Sequence, residues 1–283
     1  MNRALFTAMA ISALMVFGRA GARAGEGGDG LRVSLSPLPG RIQTGVAVAL
    51  TLDIRDHENK PAGDLPLVHE RPIHLIIVPA DLSRLAHLHP EKVARGQYRT
   101  TYIFPGGGKY RVYADLKSPD GDPMVVPFTL DVLGDALPGV PMEQELSRGT
   151  RVDVEGVRAE RISPQRIRSG VPVELGFALT DVRSGGPVRD LKKYLGSMAH
   201  MIIISKDGAD FLHAHTMDGG MQPEGGDHRG HEMHAGHDVA ARAGTTRLNV
   251  HTTFPRAGLY RIWMQVLRQG QVLTLPFAVR VKD

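Results

Sequence analysis

Two tandem antiparallel β-sandwiches of immunoglobulin-like type, in an all-β chain, are what this sequence predicts. Three observations carry the expectation. Short β-branched and aromatic runs are broken by Gly, Pro, Asp and Asn, sustained helical periodicity is absent, and the whole pattern is written twice.

In the first copy the candidate strands are 32–36, 46–54, 74–78, 86–89, 97–104, 108–115 and 125–132. The run 46–54 alternates apolar and polar residues, as a strand with one buried face must, and is entered through Gly45. Gly106-Gly-Gly108 separates two of the strands. It is read as a turn, since no Lys-Ser/Thr pair and no helix follow to make a phosphate loop. The second copy repeats the plan over 151–283. Gly170-Val-Pro-Val-Glu-Leu-Gly-Phe resembles Gly45-Val-Ala-Val-Ala-Leu-Thr-Leu, and Phe254-Pro-Arg-Ala-Gly-Leu-Tyr-Arg-Ile-Trp matches Phe104-Pro-Gly-Gly-Gly-Lys-Tyr-Arg-Val-Tyr. Leu275-Pro-Phe likewise matches Val126-Pro-Phe. The only weak helical signal is 188–194, and residues 135–150, with Pro138 and Pro141, form the linker between repeat 1 (31–134) and repeat 2.

Residues 1–24 are expected to lie outside the fold. Arg3 precedes an apolar stretch, and Ala22-Arg-Ala24 is a small-x-small cleavage signal, the pattern of a secretory signal peptide rather than a membrane span. Cleavage there leaves 259 residues and lowers the formal charge from +4 to +1, because the leader carries Arg3, Arg19 and Arg23. No basic block argues for nucleic acid. The absence of cysteine excludes disulfides, thiolate metal sites and a lipid-modified cysteine. The expected setting is periplasmic or secreted, with no membrane span after leader cleavage.

Thirteen histidines stand in the chain, and six form one spaced triplet written twice. His74, His87 and His89 map onto His200, His213 and His215 with a constant offset of 126, which grows to 150 at the Phe-Pro turn. The intervening insertion, 217–241, carries His228, His231, His234 and His237 at intervals of three, with Met217, Met221 and Met233.

If 74–89 is a hairpin turning at residues 80 and 81, His74 lies opposite or nearly opposite His87. Opposed residues share a face with Cβ atoms ~5 Å apart, and His89 points the same way. Three imidazoles would converge on one ion, and the same construction gathers His200, His213 and His215. His251, present only in copy two, is a further candidate ligand, as is Met201 beside His200. The insert reads as a loose polar tract with metal affinity of its own. Imidazole with thioether favours copper, with zinc or nickel as alternatives. Trp263, Tyr110, Tyr113 and Tyr260 read as sandwich core or sheet-face residues, and Met198, Met201 and Met264 as packing, the alternative being that Met198 and Met201, which flank His200, enlarge its site.

At Tyr194-Leu-Gly-Ser-Met-Ala-His-Met-Ile-Ile-Ile, Asp210-Phe-Leu-His-Ala-His and Phe254-Pro-Arg-Ala-Gly-Leu-Tyr-Arg-Ile-Trp, the chain resembles secreted bacterial YtkA-like immunoglobulin-like domains. The resemblance implies a β-sandwich, an exported setting, and association with copper or heavy-metal handling. Copy one departs from it, with Val68-His-Glu-Arg-Pro where copy two has Tyr194-Leu-Gly-Ser-Met.

The function expected is therefore copper binding, sequestration or delivery in the periplasm, with a copper exporter or another envelope protein as partner. The alternative is a structural or partner-binding tandem module with no metal role. No Ser/His/Asp order or paired-carboxylate setting suggests an enzyme, and a type-1 electron-transfer copper site would need the cysteine the chain lacks.

Overall fold

The computed structural model describes residues 25–26, 31–147, 149–162, 164, 166–216 and 245–283. The leader (1–24) and the insert (217–241), with His228, His231, His234 and His237, lie outside the described residues.

Ahead of repeat 1 stands β1 (Gly25–Glu26), and repeat 1 contributes β2 (Arg32–Leu38), β3 (Ile42–Gln43), β4 (Ala47–Arg55), β5 (Ile73–Pro79), β6 (Ala86–Leu88), β7 (Glu91–Ala94), β8 (Gln97–Ile103), β9 (Gly108–Lys117) and β10 (Pro123–Leu133). They form two sheets, β1-β2-β4-β8-β7 and β3-β10-β9-β5-β6. After α1 (Met142–Ser147), repeat 2 follows with β11 (Arg151–Val154), β12 (Val157–Arg161), β13 (Ile167–Arg168), β14 (Pro172–Asp181), β15 (Leu191–Lys192), β16 (His200–Ser205), β17 (Phe211–His215), β18 (Thr246–Thr253), β19 (Gly258–Arg268) and β20 (Gln271–Lys282). Its sheets are β11-β12-β14-β18 and β13-β20-β19-β16-β17, with β15 paired to β19. The all-β reading holds: two sandwiches of immunoglobulin-like type, antiparallel except where β3 and β13 pair parallel with β10 and β20.

Alternation does the folding work. Val48, Leu50, Leu52 and Ile54 of β4 point inward against Leu75 and Ile77 of β5 in one core. Leu175, Phe177 and Leu179 meet Met201 and Ile203 in the other. Tyr110 and Tyr260 are buried: Tyr110 donates its hydroxyl hydrogen to the carbonyl of Gly106, and Tyr260 donates to Asp210 Oδ2 at 2.6 Å with the Arg256 carbonyl 2.9 Å away.

β5 and β16 break that alternation, being buried along nearly their whole length. Their other faces meet each other. Ile76 and Val78 join Ile202, Ile204, Tyr113 and Trp263 in a third apolar cluster shared by both repeats. Tyr113 also donates its hydroxyl hydrogen across that boundary to Gly208 O at 2.7 Å and stacks on Phe211. An antiparallel sheet needs polar residues on any face it shows to water. The near-continuous apolar runs of β5 and β16 therefore require a second covered face, and the other repeat covers it.

Two local expectations are corrected. Segment 188–194 is not helical: it contains β15, where Leu191 lies opposite Arg268, and Arg268 Nε donates to Asp190 at 2.7 Å. The one described helix, α1, lies instead in the linker. Pro141 O accepts its first hydrogen bonds, Glu143 and Glu145 occupy the first turn, and Met142 is buried in the shared cluster. Six residues are too few to display a helical period; tertiary contacts hold the turn.

Candidate metal centre

The hairpins place the triplets one pair further along than the sequence suggests. Ile76 lies opposite His87, and in repeat 2 His200 lies opposite His215 while Ile202 faces His213. His74 therefore pairs toward position 89, not 87. The displacement is two residues, so parity is kept and all three histidines of each copy stay on one face.

That face is the one turned to the other repeat, so the two triplets form a single cluster. The His74 and His213 rings are 5.0 Å apart, and those of His87 and His213 5.6 Å. The ligand nitrogens of His74, His87 and His89 all lie within 4.8 Å of one another.

The outer hydrogen bonds set the tautomers. His74 Nε2 lies 2.7 Å from Val68 O, and His200 Nε2 lies 2.7 Å from Tyr194 O. A carbonyl only accepts, so both Nε2 atoms carry the hydrogen and both Nδ1 atoms of the neutral rings hold a lone pair. His87 Nδ1 donates to Gln265 Oε1 at 2.6 Å, and His213 Nδ1 donates to Asp115 Oδ2 at 2.7 Å. Their Nε2 lone pairs then face those of His74 and His200, at 2.8 and 3.3 Å. Two lone pairs at that distance repel unless a cation stands between them. Two imidazoles on one tetrahedral ion hold their nitrogens about 3.3 Å apart, given bonds of 2.0–2.1 Å. The pairs also have a metal-free solution. Turning over the Gln265 amide, or protonating Asp115, moves the ring hydrogen of His87 or His213 to Nε2 and makes an ordinary hydrogen bond.

Burial keeps the cluster neutral. It pushes the His74 imidazole down to about 3 and those of His69 and His89 to about 4, and it holds His87, His200 and His213 below the ordinary histidine value. It raises the Asp115 carboxyl to about 6, against the pull of His74 and His69. An Asp115–His213 ion pair would need the imidazolium that burial disfavours, so the contact is a neutral N–H donated to the carboxylate. Neutral imidazole is the ligand form.

One member was missed in the sequence. His69 packs its ring 4.2 Å from that of His215, 5.1 Å from His213 and 5.3 Å from His200. It sits in a two-residue turn bridged by Val68 and Arg71, with φ of 47° at His69 and 66° at Glu70. Gly or Asn is the usual occupant of such left-handed positions. A histidine there, where copy two has Leu195, was the available signal. Beside it opens a pocket of about 230 Å³ lined by His69, Glu70, Leu195 and His215, among others.

Two candidates do not join. His251 lies on β18, exposed, with Nε2 3.2 Å from Glu174. Its neighbours Leu248 and Val250 fill the core, so parity turns His251 outward from the sheet opposite the cluster. Met201 points into the repeat 2 core, the reverse face from His200. Met198 and Met264 also pack on that core, so the packing reading of the three methionines holds and neither Met198 nor Met201 enlarges the site.

No curated protein matches the chain. Among solved structures it is similar to the Yersinia pseudotuberculosis adhesin InvE (12% identity, TM-score 0.28, covering 90% of this chain and 61% of that one). A Salmonella alpha-2-macroglobulin gives 14% identity and a TM-score of 0.26, over 92% of this chain and 15% of that one. The D00-D0 domain of intimin gives 12% identity and a TM-score of 0.22, over 89% and 100%. The chain thus spans about 15% and 61% of the lengths of the first two proteins. Among the described residues no helix is long and apolar enough to cross a membrane. The family described as Domain of unknown function (DUF8832) matches residues 26–134 and 152–283, and the chain belongs to that family.

Proposed function

We propose that this chain is an exported metal-binding protein whose inter-repeat histidine cluster holds copper, with zinc or nickel as alternatives, for sequestration or delivery rather than catalysis. One observation carries the reading. His89 Nε2 is buried with no hydrogen-bond partner, in the same cluster where His74 and His87 present facing lone pairs. A buried unpaired nitrogen costs about 1–3 kcal/mol, and a metal ion offsets that cost while relieving the facing lone pairs. An all-imidazole donor set binds divalent copper more tightly than nickel or zinc. The leader pattern and the resemblance to YtkA-like domains point to the same compartment and cargo. An envelope exporter is the matching partner class.

The test uses the full chain with His228, His231, His234 and His237 replaced by Ala, so that only the cluster is read. Copper, zinc and nickel are titrated separately and bound metal is measured after desalting. Copper is expected to be retained, and His87→Ala with His213→Ala to abolish retention while a cooperative thermal transition remains. Equal retention in that double variant, or none in the parent, would refute the reading. The histidines would then belong to the metal-free hydrogen-bonded form, and a structural or partner-binding tandem module would take its place.

A further inference from the structure

We propose that the interface holds two metal ions in unequal sets, with His69 crossing from repeat 1 to complete the set of repeat 2. The inference rests on the metal reading above and adds number, partition and asymmetry. His74, His87 and His89 make the first set; His69, His200, His213 and His215 make the second.

Seven imidazoles converge, and a tetrahedral or tetragonal ion takes four. Imidazoles on one tetrahedral ion have ring centres about 5 Å apart, given the 2.0–2.1 Å bonds. The first set shows 5.1, 5.0 and 4.8 Å between its three rings. In the second, His69, His200 and His213 are separated by 5.3, 5.1 and 5.6 Å. His215 closes that set at 4.2 Å from His69 and 6.2 Å from His200. The repeats also reproduce each other's tautomer anchors, Val68 O for Tyr194 O and Gln265 for Asp115. Among the described residues only the first set has all its ligand nitrogens within 4.8 Å of one another, so the second is the looser of the two.

The copies differ at the turn. Leu195, at φ 51°, holds the place that His69 holds at φ 47°. The first set is thus left with three ligands, and the second gains a fourth at the open pocket that His69 and His215 line together with Leu195. The second ion is the exposed, exchangeable one and the first is the enclosed one. The 5.0 Å between the His74 and His213 rings bounds the separation of the ions at about 11 Å.

The experiment is cupric titration of the full chain in the same background lacking the four insert histidines, read by bound copper and by electron paramagnetic resonance. Two ions per chain are expected, with dipolar broadening that appears only as the second binds. A chelator should strip one ion at least ten times faster than the other. His69→Leu should leave one ion and a narrow spectrum. His215→Ala removes the exposed ligand of the second set and should likewise leave one slowly released ion. This variant keeps the idea testable should His69→Leu disturb the turn. One ion at saturation, two uncoupled ions, or two ions retained in His69→Leu would overturn the two-ion partition while leaving a metal-binding protein. Binding of no copper would overturn both.

Discussion

His213 of the second repeat donates its Nδ1 hydrogen to Asp115 of the first at 2.7 Å, with side chains only 5% and 10% exposed. His87 makes the mirrored contact to Gln265, which stands 150 residues after Asp115 in the repeat alignment. Each copy thus holds the other's histidine in its ligand tautomer, with a carboxylate on one side and an amide on the other. Asp115→Asn should keep the acceptor but remove the charge, weakening copper binding about tenfold, as loss of such an outer partner does. Gln265→Glu should strengthen the opposite side. Competition against a chromophoric chelator measures both, and equal affinities throughout would assign the carboxylate no part.

Metal-free stability should fall as the solution is acidified. The ordinary histidine value is 6.5, whereas His74 sits at about 3 and His69 and His89 at about 4 in the folded chain. Between those values the unfolded chain binds more protons. The contribution is therefore complete above about pH 6.5 and is lost as pH drops through the window. Asp115, raised from 3.8 to about 6, acts oppositely, favouring the fold at low pH and losing that contribution as pH rises through 6. One carboxyl is outweighed by six lowered imidazoles. His74 alone, fully buried, should account for about 2 kcal/mol at pH 5. Thermal melts should show Tm lower at pH 5 than at pH 7.5 by roughly 4–8 °C or more. A flat profile would mean the cluster is solvated.

Ile202→Asp should separate the repeats without unfolding them. Ile202 is fully buried against the other repeat, while its neighbours Met201 and Ile203 fill the sandwich core. A carboxylate there is costly only while the interface is closed. Small-angle scattering should report a larger radius of gyration, and the second ion should be lost with it, because His69 reaches that set from the other repeat, whereas His74, His87 and His89 all stand on repeat 1.

Glu145→Ala should destabilise the chain by about 3–5 kcal/mol, the cost of orphaning a buried charge. Arg261 is fully buried, ion-paired with Glu145 of α1, and its pKa is pushed down to about 10 by burial. The double change Glu145→Leu with Arg261→Met should recover much of the loss. Denaturant melts decide this, and an unchanged midpoint in Glu145→Ala would show that α1 is not clamped.

The duplication, the alternating runs and the sandwich class were legible in the residues, because a strand's two-residue period is local and each copy repeats it. The common face of each histidine triplet was legible for the same reason, and it survived a hairpin register displaced by two. The apolar runs of β5 and β16 already carried the demand for a second covered face, though not the identity of what covers it. Only the tertiary structure decided that the triplets form one cluster, that His69 enters it from the opposite repeat, that Asp115 and Gln265 exchange partners, and that His251 is excluded. Those relations are set by how two finished sandwiches dock. Docking depends on the shape and burial of whole sheet faces, which no local spacing of residues encodes.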